Sequence, residues 1–573
     1  MTYAIGIDYG TESGRVLILN LETGEEMATV TVAYASGVID HVFPPNGAAL
    51  PTDYALQDPA DYLAVLTQGV PAALRQSGVS AAEVIGLGID FTSCTVMPTT
   101  GTGTPLCKMD PWAMRPHAWP KLWKHHAAQS WADRINEEAV RTHEEFLSHY
   151  GGRISSEWYF PKLLEIFAED RAVYDQSAAF VEASDWVVWQ LTGNLARNTC
   201  AAGYKAMRGE TGLLPNPALF TSIHPEFTDP ERLLGQEFYP AGTLAGYLTP
   251  EWAELLELTT GTAIAVGNVD AHASVPGAGI GGPGQFVMVL GTSICHLAMT
   301  PQLALIPGIT GVVKDGVLPG YYGYEAGQAA VGDMLAWFVH ESVPRHYQDQ
   351  ASRHGRSVYE ELEAQGARLL PGQSGLIALD WWNGNRSILG DADLGGLVVG
   401  LTLTTQAPDI YRALLESIAF GTRRILDNFA QFGVTFERLV ACGGLSHKSP
   451  LLMQLYADIC DLPVAVPATK EMASRGAALF GAVAAGRPCG GFSSIEEAIA
   501  KLPPPISARY LPDPSQVQAY QPIYGIYRTL YEYLGRDHVD LMHDLKQIRL
   551  RAVEQAQVDA PRRSPQAEPT ARG

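Results

Sequence analysis

Positive charge is scarce in this sequence. Its 573 residues carry 61 acidic and only 39 basic side chains, a formal net charge of −22. Nucleic-acid binders gain affinity by neutralising phosphates with Lys and Arg, so a general nucleic-acid binder is excluded. A local basic pocket for a phosphorylated small molecule is not. Cysteine is sparse as well: seven residues (Cys94, Cys107, Cys200, Cys295, Cys442, Cys460, Cys489), odd in number and with no Cys-x-x-Cys. That scatter fits reduced thiols in a cytoplasmic protein better than a disulfide framework or a zinc site. No apolar run reaches 18 residues, and MTYAIGIDYG has neither a basic region nor a long apolar stretch. Neither a membrane span nor a signal peptide is therefore expected. No G-x-x-x-x-G-K-[ST] occurs, which excludes a P-loop. Gly277, Gly279 and Gly282 formally fit G-x-G-x-x-G, but they follow a helical piece and precede a strand. A dinucleotide fingerprint needs the reverse order, so that fold is rejected.

What is present is an ordinary globular composition, with 46% hydrophobic residues, in a chain too long for one core. Two large domains or more are expected. Residues 3–8, YAIGID, run as a buried strand into Asp8, and Gly10-Thr11-Glu12-Ser13-Gly14 leads to a second apolar run. Such a hairpin tip offers backbone N–H groups and hydroxyls to a phosphate, although a plain polar turn reads the same way. The device recurs at 286–298, where Gly291-Thr292-Ser293 joins two more strands. Its recurrence a whole domain later suggests an internal duplication, with two hairpins facing one cleft.

The stretch AVGNVDAH, 265–272, places Asp270 after a strand end at Gly267. Taken alone, that Asp reads as a helix cap. Residues 84–96 form a strand ending in Asp90-Phe91-Thr92-Ser93, and ligands of open α/β sheets sit beyond such strand ends. Asp90, Thr92 and Ser93 are thus candidate substrate contacts. Trp112, Arg115 and His117 belong to an aromatic, basic patch that serves either sugar contact or packing. SDWVVWQLTG, 184–193, predicts a helix capped by Ser184 and stopped by Gly193. Lys205 follows among small residues, and Glu325 falls in a Gly/Tyr-rich loop before a helix from about Ala329. A 3.6-residue period predicts a long helix over 407–432. A strand then runs into Gly443-Gly444, where a flat ring could lie on the backbone or the chain could simply turn, and 471–485 predicts a helix of small residues. From about 550 the pattern is lost, which predicts a disordered tail.

Together these segments resemble the FGGY carbohydrate kinases. IGIDYGTES, SDWVVWQLTG, GNVDAH, VLGTS and CGGLSHKSPLLMQLYADIC carry the resemblance across residues 3–490. It implies an α/β fold of duplicated actin/hexokinase-like (ribonuclease H-like) type with a catalytic cleft between two domains. The implied division is 1–282 for sugar and catalytic base, 283–549 for nucleotide, and a tail over 550–573. DFTSCTV, HAWPKLWKHHA, GRISSEWYFPKLLEI, YKAM, YGYEAGQ and LDWWNGNRS point to the branch that phosphorylates L-ribulose, and the Arg-Glu pair of the glycerol branch is missing after Asp90. D-ribulose, xylulose or a pentitol remain alternatives, as does a non-catalytic ATP-binding sensor. By the same resemblance Asp270 is the general base and Asp8 holds Mg²⁺. Gly10, Thr11 and Ser13, with Gly291, Thr292 and Ser293, hold the ATP phosphates, while Gly443 and Gly444 face adenine. Lys205, Glu325 and the Asp90–Ser93 segment contact the sugar. The expected partners are a sugar and ATP, with a homodimer possible and neither nucleic acid nor membrane involved.

Overall fold

The computed structural model describes residues 1–208 and 215–559. Its first sheet has seven strands: β1 (Tyr3–Tyr9), β2 (Ser13–Asn20), β3 (Glu26–Ala33), β4 (Val84–Phe91), β5 (Leu244–Tyr247), β6 (Ala263–Ala265) and β7 (Asn268–Val269). β1 pairs antiparallel with β2 and parallel with β4, and β6 and β7 both pair parallel with β4. Two helices of this half matter for the site: α1 (Thr199–Lys205) and α2 (Asp270–Gly277). The second sheet holds β8 (Gln285–Leu290), β9 (Ile294–Thr300), β10 (Gly311–Lys314), β11 (Tyr322–Gln328), β12 (Arg438–Cys442), β13 (Val464–Pro467) and β14 (Ile506–Tyr510). Its order is β10-β11-β9-β8-β12-β13-β14. In both sheets the opening strand pairs antiparallel with its hairpin partner on one side and parallel with a later strand on the other. The repeated Gly-Thr-Ser signal thus marks a repeated topology.

The strands form where the sequence is apolar on both faces. Ile5, Ile7, Val16 and Ile18 are fully buried, each contributing roughly 1.5–3 kcal/mol. The second half of the chain also holds α3 (Ala407–Gln431), α4 (Gly444–Lys448), α5 (Met472–Ala485) and α6 (Pro514–Glu532). Between β4 and β5 an aromatic core that includes Trp119, Trp158, Phe160, Phe167 and Phe220 supports a lobe reaching over the cleft. α5 follows the second sheet's strand β13, yet it packs on the first sheet and on α2. Side chains cannot fit at that crossing. A Cβ on Gly6 would lie 1.7 Å from the Ser474 carbonyl oxygen, one on Gly88 1.9 Å from that of Ala477, and one on Gly476 1.8 Å from that of Ala273. Backbone therefore meets backbone where the two halves join.

Several local expectations are corrected. The helix expected at 184–193 begins at Ala183 with Glu182 at its cap, and Gly193 ends it at φ 76°. Glu325 lies in β11 and not in a loop, because Tyr322, Gly323, Tyr324 and Glu325 alternate across the strand; the next helix starts at Gly332. Asp270 is the first residue of α2, whose cap position is Val269, although its Oδ1 accepts the Ala271 N–H at 2.6 Å. Residues 550–559 belong to α7 (Asp540–Asp559) and not to a structureless tail. Leu, Lys, Gln, Arg and Ala are strong helix formers and extend it. Residues 560–573 lie outside the described residues. Among the described residues no helix is long and apolar enough to cross a membrane.

Candidate active site

Strand register builds the acidic floor of the site. Asp8 and Asp90 are neighbours across the parallel pair β1–β4, and Asn268 stands beside Asp90 on β7, two residues before Asp270. Three carboxyl groups thus meet at the ends of adjacent strands. Asp8 is held by Arg15, whose Nη1 lies 3.0 Å from Oδ2; antiparallel register places Arg15 opposite Asp8. Arg15 Nε also lies 3.5 Å from Glu471 Oε2, which ties the first hairpin to the residue before α5. Asp90 is fully buried, and neither of its oxygens finds a donor in the surroundings. Burial first, then the charge of Asp8 and a shared hydrogen bond with it, raises its pKa well above the carboxylate range. A proton shared with Asp8 would supply the hydrogen bond that the Asp90 oxygens lack. Asp270 is half-buried, and burial together with Asp8 pushes its pKa to about 7.

A cavity of about 840 Å³ opens over this floor, lined by Asp8, Gly10, Thr11, Ser13, Arg15, Thr92, Asp270, Gly443, Gly444, Lys448, Lys470 and Met472 among others. The hairpin tip is closed by its own Gly10 N–H, which donates to Ser13 O at 3.0 Å, and fixed from outside by Gln57 Nε2, which donates to Thr11 O at 2.8 Å, and Trp123 Nε1, which donates to Thr11 Oγ1 at 3.1 Å. On the far wall Gly443 sits at φ 86°, and a Cβ there would lie 2.3 Å from the Leu290 carbonyl oxygen. Gly444 faces open space. Strain at the first position implies that Gly443→Ala destabilises the fold by about 1–3 kcal/mol. Denaturant titration would check this, and an unchanged midpoint would refute it.

A second cavity, about 440 Å³, adjoins the first across Trp123 and is lined by Lys205, Thr292, Ser293, Glu157, Trp158 and Arg386 among others. Lys205 Nζ lies 3.0 Å from Glu325 Oε1, with both side chains nearly inaccessible. Burial alone would raise the pKa of Glu325, but Lys205 and Arg386 outweigh it and hold it at about 2. His272 Nε2 is 3.7 Å from Glu325 Oε2, and burial lowers its pKa to about 4, so the ring is neutral. Arg386 Nη2 reaches Glu157 Oε2 at 3.3 Å, joining the aromatic lobe to the second half of the chain. Paired acids and bases with aromatic faces offer both donors and acceptors to a polyhydroxylated ligand.

The expected site residues are thus largely brought together, with three differences. The two hairpins line adjoining cavities: Thr11 and Ser13 the larger, Thr292 and Ser293 the smaller. Asp90 shares a face with its neighbour Asp8 but is fully buried and, like Ser93 and Gly291, lines neither cavity. Thr92 does reach the larger one, its Oγ1 2.9 Å from Thr95 Oγ1. Trp112, Arg115 and His117 serve packing: Arg115 pairs with Asp170 and stacks near Trp112, and His117 Nε2 lies 3.1 Å from the Tyr54 hydroxyl. Sequence reasoning passed over Arg15, Trp123, His272 and Arg386. Arg15 alone had a readable signal, its hairpin register with Asp8.

The FGGY family of carbohydrate kinases matches this chain twice, the N-terminal domain model over residues 3–277 and the C-terminal domain model over 286–485. A ribulokinase from Anoxybacillus flavithermus is 49% identical over 545 residues, covering 95% of this chain and 96% of the relative. One from Geobacillus thermodenitrificans is 48% identical with the same coverage. Among solved structures, a xylulose kinase from Rhodospirillum rubrum superimposes with a TM-score of 0.75 at 20% identity, covering 94% of this chain and all of that one (100%).

Proposed function

Because the chain belongs to the FGGY family of carbohydrate kinases, we propose that it transfers the γ-phosphoryl group of ATP to a hydroxyl of L-ribulose, giving L-ribulose 5-phosphate. The carrying observation is the position of Asp270. It lines the cavity with Gly443 and Gly444, and its charge couples to the Lys205–Glu325 pair of the adjoining one. Near-half identity over almost the whole chain to two ribulokinases selects ribulose among the sugars. ADP release from purified enzyme with ATP and a sugar panel tests the reading. Strong turnover on xylulose with none on ribulose would overturn it.

In this reading ATP lies in the larger cavity, its ring against Gly443 and Gly444 and its phosphates toward Thr11 and Ser13. Thr292 and Ser293 approach the transferred group from the sugar side. The sugar is gripped by Lys205 and Glu325. Asp270 accepts the proton of the attacking hydroxyl, and closure around both ligands excludes water. The crowding of Asp8, Asp90 and Asp270 fits a divalent cation, because positive charge offsets their repulsion. Asp8 would hold Mg²⁺ directly or through water, and bound Mg²⁺ supplies charge neutralisation for the phosphate oxygens. All seven cysteines are unpaired, which supports a cytoplasmic enzyme.

A base whose proton affinity is raised works only above its pKa. kcat/KM for the sugar is therefore expected to fall about tenfold per pH unit below an apparent pKa at or below 7, since bound cation lowers the value. A flat profile down to pH 5 would refute Asp270 as the titrating base.

A further inference from the structure

A third cavity, of about 580 Å³, shares no lining residue with the two of the active site. It lies between α3, which supplies Arg423, Arg424 and Asp427, and α6, which supplies Gln521, Tyr524, Gly525 and Arg528. Three arginines there face one carboxylate, in a chain of net charge −22. Arg423 Nη1 donates to Ile459 O and its Nη2 to Gln521 Oε1, both at 2.9 Å, and its guanidinium stands 4.1 Å from the Tyr524 ring centre. These partners are neutral, so they fix the cation without offsetting its charge. Asp427 accepts the Tyr524 hydroxyl and forms no ion pair among the described residues. Glu532, one turn beyond Arg528, is shared by Arg424 and Arg536, and Arg528 is exposed with no ion pair among the described residues. Arg424 is nine-tenths buried, yet its Nε finds no acceptor, a vacancy that a buried donor rarely keeps.

Gly525 adds an independent sign. It stands inside α6, where glycine weakens a helix relative to alanine, and a Cβ added there meets nothing within 4 Å beyond its own helix. Packing does not require the glycine; what its missing side chain leaves is room. We propose that this groove is a regulatory site for a phosphate monoester. A dianionic phosphate supplies the acceptors that Arg424 and Arg528 lack, and guanidinium forks match its oxygens. The remaining volume suits a body of pentose size. Both walls are bonded to the strand that carries Glu325. On α3, Thr422 precedes Arg423 and donates to Gln328 Oε1 at 2.7 Å. On α6, the Tyr527 hydroxyl donates to Asp380 Oδ1 at 3.1 Å, and Gln328 Nε2 donates to Asp380 Oδ2 at 2.7 Å. Gln328 closes β11 three residues after Glu325, so a ligand that shifts α3 against α6 acts on the grip of Lys205 and Glu325. The binding site stands apart from the phosphorylation reading; its regulatory effect rests on that reading.

Calorimetric titration of the full chain with ribose 5-phosphate tests binding, the active site being filled beforehand with sugar and a non-hydrolysable ATP analogue. Initial rates with and without the same probe test regulation. The wild type is expected to bind one equivalent, to ignore ribose itself, and to show a sugar KM shifted about fivefold or more by the probe. Arg528→Glu should weaken binding at least ~10-fold. Gly525→Leu, which puts a helix former into open space, should remove both the binding and the KM shift while turnover without the probe stays unchanged. A wild type that does not bind the probe overturns the proposal. Binding indifferent to both substitutions, or a sugar KM that the bound probe leaves unmoved, also overturns it. Binding lost in the variants beside a wild type with no turnover on any sugar would strike the phosphorylation reading and not the site.

Discussion

Asp270→Asn is expected to lower kcat by roughly 10²–10⁴ while ATP binding stays near normal. Asn keeps the shape of the side chain and can still hydrogen-bond at the start of α2, but it cannot take a proton from the attacking hydroxyl. The same substitution has an opposite effect on stability. The pKa of Asp270 is raised to about 7 in the fold by burial and by Asp8, so the folded protein binds a proton there more tightly than the unfolded chain. Stability contributed by this site therefore falls as pH rises from the ordinary carboxyl range to about 7. Asp270→Asn should then stabilise the ligand-free protein at pH 8 and lose that advantage near pH 4. Thermal melts at the two pH values, beside single-turnover phosphorylation, check both halves. A variant that melted lower at pH 8 would refute the electrostatic cost assigned to this carboxylate, and one that kept wild-type turnover would refute its role as base.

Lys205→Met carries the second large effect. Lys205 and Glu325 are each 5% exposed and bonded at 3.0 Å. Removing the cation leaves Glu325 buried with His272 as a neutral neighbour, and breaking such a pair costs about 3–5 kcal/mol. Replacing both members, Lys205→Met with Glu325→Met, should recover most of that stability, because apolar substitutes leave no stranded charge. Sugar affinity should remain lost in the double variant. Denaturant titration and the sugar KM separate the two roles. Recovery of sugar binding with stability would show that the pair is a structural bridge and not a substrate contact.

The parts of the fold that were legible in the sequence are those governed by local rules. The two Gly-Thr-Ser hairpins, the small-residue helix α5 and the long helix α3 follow from alternation, turn residues and period. Glu325 was misplaced because glycine and tyrosine are turn and strand formers in one window, and only pairing with β9 and β10 decides between them. Asp90 looked like a ligand contact because a strand end fixes the position of a residue and not how far its neighbours bury it. Arg386 and Trp123 reach the site from segments far apart in sequence, so no local pattern announces them, whereas His272 stands two residues after Asp270 and was overlooked beside it.

The glycine crossing of α5 over β1 and β4 bears on how such a molecule closes. Interlocked side chains would act as teeth, and turning one half against the other would require them to disengage. At Gly6, Gly88 and Gly476 backbone meets backbone with no side chain between, but around that bare centre Leu17, Leu19, Val275, Leu479 and Phe480 share one core and Arg475 bonds Gly24 O and Glu26, so any turn must pivot there and not slide. Rotation moves atoms in proportion to their distance from the axis. Met472 touches this crossing through Gly277 and also lines the larger cavity, so the part of that cavity nearest the pivot is the part a rotation of the two halves would move least.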